Sequence, residues 1–169
     1  DICKRELALQ RSAYPNIEFK QIFADAPFKI ICDQRQIGQA LTNLLQNAID
    51  SFSNVEPADG KRISVEFRAE GDIVVVTVVD NGKGLPEEER DRLTEPYVTT
   101  REKGTGLGLA IVRKIMEDHG GEVLLEDGES GGAKVSLVMS ARIKGKEMDE
   151  TGRADQAIPQ TTEIAGHGV

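Results

Sequence analysis

Long apolar runs are absent from this chain. None approaches the length of a membrane-spanning helix, and no signal peptide is visible at its start. A basic excess is missing too: 21 Lys and Arg stand against 29 Asp and Glu, a formal net charge of −8. With no surplus cations to displace counterions, this argues against a nucleic-acid partner, whereas a single nucleotide needs only a local pocket of positive potential. Cysteine is scarce. Cys3 and Cys32 have neither metal-ligand nor redox spacing and read as two reduced thiols. No internal repeat occurs, and the first residue is Asp1, so the chain is expected to be a piece of a longer protein. The remaining composition, 30% charged and 38% hydrophobic over 169 residues, suits one soluble domain with a full core.

Residues 1–15 read as an entry segment with a short helix over Asp1 to Ala13. Asn16 to Ala24 and Pro27 to Cys32 predict two strands separated by a turn. Asp33, with Gln36 three places on, predicts an N-cap and a helix reaching about Phe52. Ile63 to Ala69 and Ile73 to Val79 are β-branched and should form a hairpin across Glu70-Gly71-Asp72. A Gly-rich loop, Asp80 to Leu85, leads to a short acidic helix from Pro86 and then a loop over Thr94 to Thr105. Leu107 to His119 has helical period and stops at Gly120-Gly121. Glu122 to Glu126 and Ala133 to Ala141 predict a last strand pair. Residues 142–169 have little apolar content and read as a disordered polar tail. Strand pairs separated by helices imply an α+β fold: a two-layer α/β sandwich whose mixed, mostly antiparallel sheet is covered on one face by helices.

Three stretches could carry chemistry. On the helix after Asp33, Leu41, Leu44, Leu45, Ala48, Ile49 and Phe52 form a core stripe. Asn43, Asn47, Asp50 and Asn54 recur on a second face. A solvated face normally carries Glu, Lys and Arg, while Asn and Asp are poor helix formers, so this face is a candidate oxygen-donor surface for Mg²⁺. Next, Asp80-Asn81-Gly82-Lys83-Gly84 would be a hairpin turn if a strand followed. Pro86-Glu87-Glu88-Glu89 opens a helix instead, so the glycines suit close backbone approach to a ligand, with Asp80 as an acceptor for an amino group. Third, Gly104-Thr105-Gly106-Leu107-Gly108-Leu109 runs into a helix without the spacing of a P-loop or a dinucleotide fingerprint. Glycines at a helix start still offer backbone N–H groups and the helix dipole to an anion.

In this order, with Gly131-Gly132 last, the boxes resemble the catalytic domain of two-component sensor histidine kinases, within the superfamily of gyrase, Hsp90 and the mismatch-repair ATPases. The resemblance covers Asn16 to Ala141, taken as the ATP-binding domain. Ala40-Leu41-Thr42-Asn43-Leu44-Leu45-Gln46-Asn47-Ala48 and Glu95-Pro96-Tyr97-Val98-Thr99-Thr100-Arg101 resemble the nitrogen-regulation branch, the NtrY-like sensors. The resemblance implies ATP and Mg²⁺ as cofactors. Asn47 would ligate Mg²⁺ with Asn43 in support, Asp80 would accept from the adenine amino group, and Gly82 and Gly84 would shape the adenine wall. Thr94 to Thr105 would be a mobile ATP lid, with Thr105, Gly106 and Gly108 at the phosphates and Leu85 and Leu107 also among the ATP-binding residues. By chemistry and lid position, Arg101 and Lys103 are candidates to pair with phosphate charge. The chain departs from the pattern at Asp50, where many members carry Lys, at Ala133, where Thr is common, and at Leu93, Tyr97 and Val98, where Phe is usual.

The hydrolases of the superfamily place a Glu where this chain has Asn43, and a carboxamide cannot take a proton from water at neutral pH. His119, at a helix end, reads as a dipole partner, and His167 lies in the tail. The phospho-accepting histidine is therefore expected in a separate dimerisation domain preceding Asp1, in a homodimeric parent, with a response regulator receiver domain as the next partner. By the same resemblance the chain would lie in the cytoplasm, with any membrane anchor in segments outside it. The alternatives are a degenerate nucleotide-binding interaction module and an ATP hydrolase.

Overall fold

Helical and alternating apolar periods resolve into the elements α1 (Ile2–Ala13), β1 (Ile17–Ile22), β2 (Phe28–Ile30), α2 (Gln34–Asp50), β3 (Lys61–Glu70), β4 (Ile73–Asp80), a 3-10 turn (Arg90–Arg92), α3 (Gly108–Asp118), β5 (Glu122–Asp127), β6 (Ala133–Ser140) and β7 (Thr162–Ile164). The computed structural model describes residues 2–23, 28–30, 32–86, 90–97, 106–140 and 162–164. Five strands form one sheet in the order β1-β3-β4-β6-β5. The β1–β3 pair is parallel and the others antiparallel. The expected mixed sheet is therefore observed. Ile63, Val65, Phe67, Val74, Val76, Val78, Leu137 and Met139 point to one face and are buried with the apolar sides of the helices. Lys20, Arg62, Glu66 and Arg68 alternate onto the other face. No helix among the described residues is long and apolar enough to cross a membrane.

Asp33 caps α2 as expected. Its carboxylate accepts from the backbone N–H groups of Arg35 and Gln36, and the Gln36 bond above all holds the carboxyl below its usual range. Glu70 pairs with Ile73, leaving Gly71, at φ +59°, in the tight turn between β3 and β4. Gly120, at φ +66°, ends α3.

Four expectations change. The first two predicted strands do not pair with each other: β1 lies beside β3, in a register that buries Ile17 and Phe19. Alternation identifies a buried face but not its partner. Second, β2 pairs with β7, so Thr162–Ile164, inside the tail expected to be disordered, is a strand. A short β-branched segment can satisfy an unpaired strand edge without much apolar burial. Third, no packing boundary falls at residues 15–16. Leu7 of α1 is 1% exposed within the common core, worth about 2 kcal/mol. Glu6 Oε2 accepts from Thr42 Oγ1 at 3.2 Å, and Arg11 donates to the Phe19 carbonyl at 2.8 Å. Fourth, Asn54 lies beyond α2 in a left-handed turn, φ +63°, and so leaves the Asn43–Asn47 face.

Candidate functional site

The buried stripe of α2, Leu41, Leu44, Leu45, Ala48 and Ile49, leaves Asn43 and Asn47 half-buried on a different face of the helix. The Asn43 amide nitrogen is buried without a hydrogen-bond partner. Asp50 accepts from Gln46 Nε2 at 2.7 Å, one turn back on its own helix. Asn47 meets the first residue of α3. A Cβ added at Gly108 would lie 3.5 Å from Asn47 Oδ1 and 3.7 Å from Nδ2, so glycine leaves this amide room. Leu107, which precedes α3, has an apolar side chain and makes no side-chain cap hydrogen bond to the helix's leading N–H groups. Gly106, at φ +67°, accepts from the Tyr97 N–H at 3.0 Å. Tyr97 is itself left-handed, φ +67°, and 78% exposed. Arg101, Lys103 and Thr105 lie outside the described residues, as do Val98 and most of the expected lid.

Asp80 ends β4 and is 6% exposed. Its Oδ1 accepts from Ser51 Oγ at 2.9 Å, the Gly82 N–H at 2.9 Å and the Ala133 N–H at 3.4 Å. The glycines close around it. A Cβ at Gly82 would fall 2.8 Å from Ser51 Cβ and nearer still to its Oγ. One at Gly84, whose φ is +75°, would fall 3.0 Å from the Gly131 carbonyl oxygen. One at Gly132 would fall 2.5 Å from the Asp80 carbonyl carbon and 2.7 Å from Asn81 Cα. The Gly131-Gly132 turn is thus pressed against the Asp80 loop, and Leu85 is half-buried at the end of that loop. Asn81 serves the scaffold: it accepts from the Arg62 N–H at 2.7 Å and donates to the Gly60 carbonyl at 2.8 Å.

Contacts thus join Asn47 to Gly108 at the start of α3, after Gly106 and Leu107 and with Asn43 one turn back on α2, and join Asp80, Gly82 and Gly84 to the Gly131-Gly132 turn, with Leu85 following. Ser51, which follows α2, joins the two groups. Sequence reasoning missed it, although it falls one turn beyond Asn47. His119 also exceeds its expected role. Its Nδ1 donates to the Ile115 carbonyl at 2.7 Å and its Nε2 accepts from the Asp33 N–H at 3.2 Å, tying the end of α3 to the start of α2. No group of His, Cys, Asp and Glu suited to hold a metal exists among the described residues. The carboxamides of Asn47 and Asn43, one turn apart on α2, offer neutral oxygens of the kind that suits a hard cation whose other ligands are phosphates and water.

A protein-family model described as histidine kinase-, DNA gyrase B- and HSP90-like ATPase matches residues 32–143. The nitrogen regulation protein NtrY of Azorhizobium caulinodans is 44% identical over 161 residues, 93% of this chain and 20% of that protein. The chain thus spans about a fifth of the length of the curated relatives it matches. Among solved structures, the nucleotide-free catalytic domain of histidine kinase ThkA is 32% identical with a TM-score of 0.71, covering 83% of this chain and 92% of that one. ThkA in complex with the response regulator protein TrrA is 28% identical with a TM-score of 0.69, covering 83% of this chain and 40% of that one.

Proposed function

The chain belongs to the family of histidine kinase-, DNA gyrase B- and HSP90-like ATPases, and from that premise we propose that it holds Mg·ATP for transfer of the γ-phosphoryl group to a histidine in a separate helical domain of a sensor kinase. The observation that carries this reading is the meeting of the Asn47 amide with the start of α3. A carboxamide oxygen and a helix N-terminus at one place serve a cation and an anion together. Mg²⁺ there would neutralise phosphate charge. Asn47 would hold the cation, and the Gly106 to Gly108 backbone would hold the phosphates. Asp80 would accept from the adenine amino group, while Gly82, Gly84 and Leu85 would line the ring. Arg101, Lys103 and Thr105 are proposed phosphate partners on chemistry and chain position. Replacing Asn47 with Ala should weaken Mg·ATP binding about tenfold or more and leave the melting temperature nearly unchanged, because its side chain lies off the apolar stripe of α2. Calorimetric titration showing unaltered affinity would remove Asn47 from the site.

Among the described residues, no histidine stands free at this site. Asn43 cannot deprotonate water. Both ring nitrogens of His119 are bonded, Nδ1 to the Ile115 carbonyl within α3 and Nε2 to the Asp33 N–H at the start of α2. Phosphoryl transfer needs an in-line nucleophile as well as charge neutralisation. Incubated alone with γ-labelled ATP, the chain should therefore gain no stable acid-labile label and release no phosphate at an appreciable rate. Adding the parent's histidine domain should restore labelling of that histidine, and a response regulator aspartate would receive the phosphate next, consistent with the ThkA–TrrA complex. Labelling of the isolated chain would reveal an acceptor within it, and rapid phosphate release would favour a hydrolase. Similarity to NtrY supports nitrogen regulation as the process.

A further inference from the structure

We propose that Ser51 is a positioning residue that sets purine selectivity by holding the Asp80 carboxylate, an inference that rests on the nucleotide-binding reading above. Ser51 is 5% exposed at the end of α2. Its Oγ lies 2.7 Å from the Ala48 carbonyl oxygen and 2.9 Å from Asp80 Oδ1. Both neighbours are acceptors and a hydroxyl has one hydrogen, so Ser51 serves one of them at a time. A carboxylate is the stronger acceptor and takes the hydrogen.

The other two donors on this oxygen, Gly82 N–H and Ala133 N–H, are backbone groups fixed by their loops. With Ser51, the carboxylate's plane is held by groups from α2 and from both flanking loops. Ser51 is itself pinned, because its carbonyl accepts from the Lys83 N–H at 3.2 Å. The absence of a side chain at Gly82 is what admits its hydroxyl. Removing the hydroxyl takes away one of the three donors that hold Oδ1, which loosens the carboxylate's plane and blunts discrimination between an amino group and a carbonyl oxygen on the purine.

The test is calorimetric titration of the chain with Mg·ATP and, separately, Mg·GTP, for the wild type, Ser51→Ala and Ser51→Thr. Ser51→Ala should lose about tenfold in ATP affinity with GTP affinity unchanged, so the ATP:GTP ratio falls by the same factor. Ser51→Thr, which keeps the hydroxyl, should recover most of that ratio. Equal losses for both nucleotides would assign Ser51 to packing alone, and no loss for either would give it no role at Asp80; both overturn the proposal. If Ser51→Thr does not fold, the ratio in Ser51→Ala decides by itself. A wild-type chain that binds neither nucleotide overturns the nucleotide reading first, an outcome distinct from a selective wild type whose selectivity survives in Ser51→Ala.

Discussion

Replacing Asp80 with Asn is expected to lower ATP affinity roughly a hundredfold and to raise GTP affinity, at a cost of about 2–3 kcal/mol for the adenine contact. A carboxylate accepts from the amino group of adenine. An asparagine can present its own NH₂ there, opposing two donors, while guanine's carbonyl oxygen would now find a donor. The fold should survive. An Asn oxygen can still accept from the Gly82 and Ala133 N–H groups that now bond Asp80 Oδ1, so thermal unfolding should change little. Paired titrations with ATP and GTP decide the matter, and undiminished ATP affinity would take Asp80 out of the purine site.

The largest effect on stability is expected from Gly132→Ala. The added methyl would sit 2.5 Å from the Asp80 carbonyl carbon and 2.7 Å from Asn81 Cα, atoms that no rotamer change can move. The Gly128 N–H bond to the Gly132 carbonyl, 2.6 Å, would have to move with the turn. Overpacking against backbone should cost about 3 kcal/mol, read as a lower denaturant midpoint together with weakened nucleotide binding. Gly71→Ala is the control. Its φ of +59° carries strain, but nothing lies within 4 Å of the new methyl, so the loss should be only about 1 kcal/mol. Equal midpoints for the two variants would show that the Gly131-Gly132 turn yields freely.

The contrast between those glycines also marks what a sequence reveals. Gly71 was legible as a turn because β-branched runs flank it, and Asp33, Gly120 and the α2 stripe were legible because caps and periods are local signals. Asn47, Asp80 and the Gly106–Gly108 start were recognisable as separate boxes. That Gly132 presses on Asp80, or that Gly108 spares room for Asn47, depends on contacts across the fold and leaves no local trace. The parallel β1–β3 pair was missed for the same reason: its partners are joined through α2, and alternation in β1 is equally consistent with several neighbours. Leu7 was read as part of an entry segment because nothing local shows which of Ile2, Leu7 and Leu9 meets a core. Ser51 escaped because serine after a helix is an ordinary terminus, and only the Asp80 carboxylate facing it gives it meaning.

The tie between His119 and Asp33, together with the approach of Gly108 to Asn47, makes α2 and α3 an antiparallel pair that meets at both ends. Their backbone dipoles then oppose each other. Where Gly108 nears Asn47, the partial positive charge at the start of α3 adjoins the partial negative charge toward the end of α2. The potential therefore has two poles across a single gap. A simple anion would gain at one wall and lose at the other, and a lone cation likewise, whereas a ligand with its own charge separation gains at both. On the proposed reading, the triphosphate faces α3 and its counterion faces α2, so the helix pair favours the metal–nucleotide complex over either component alone.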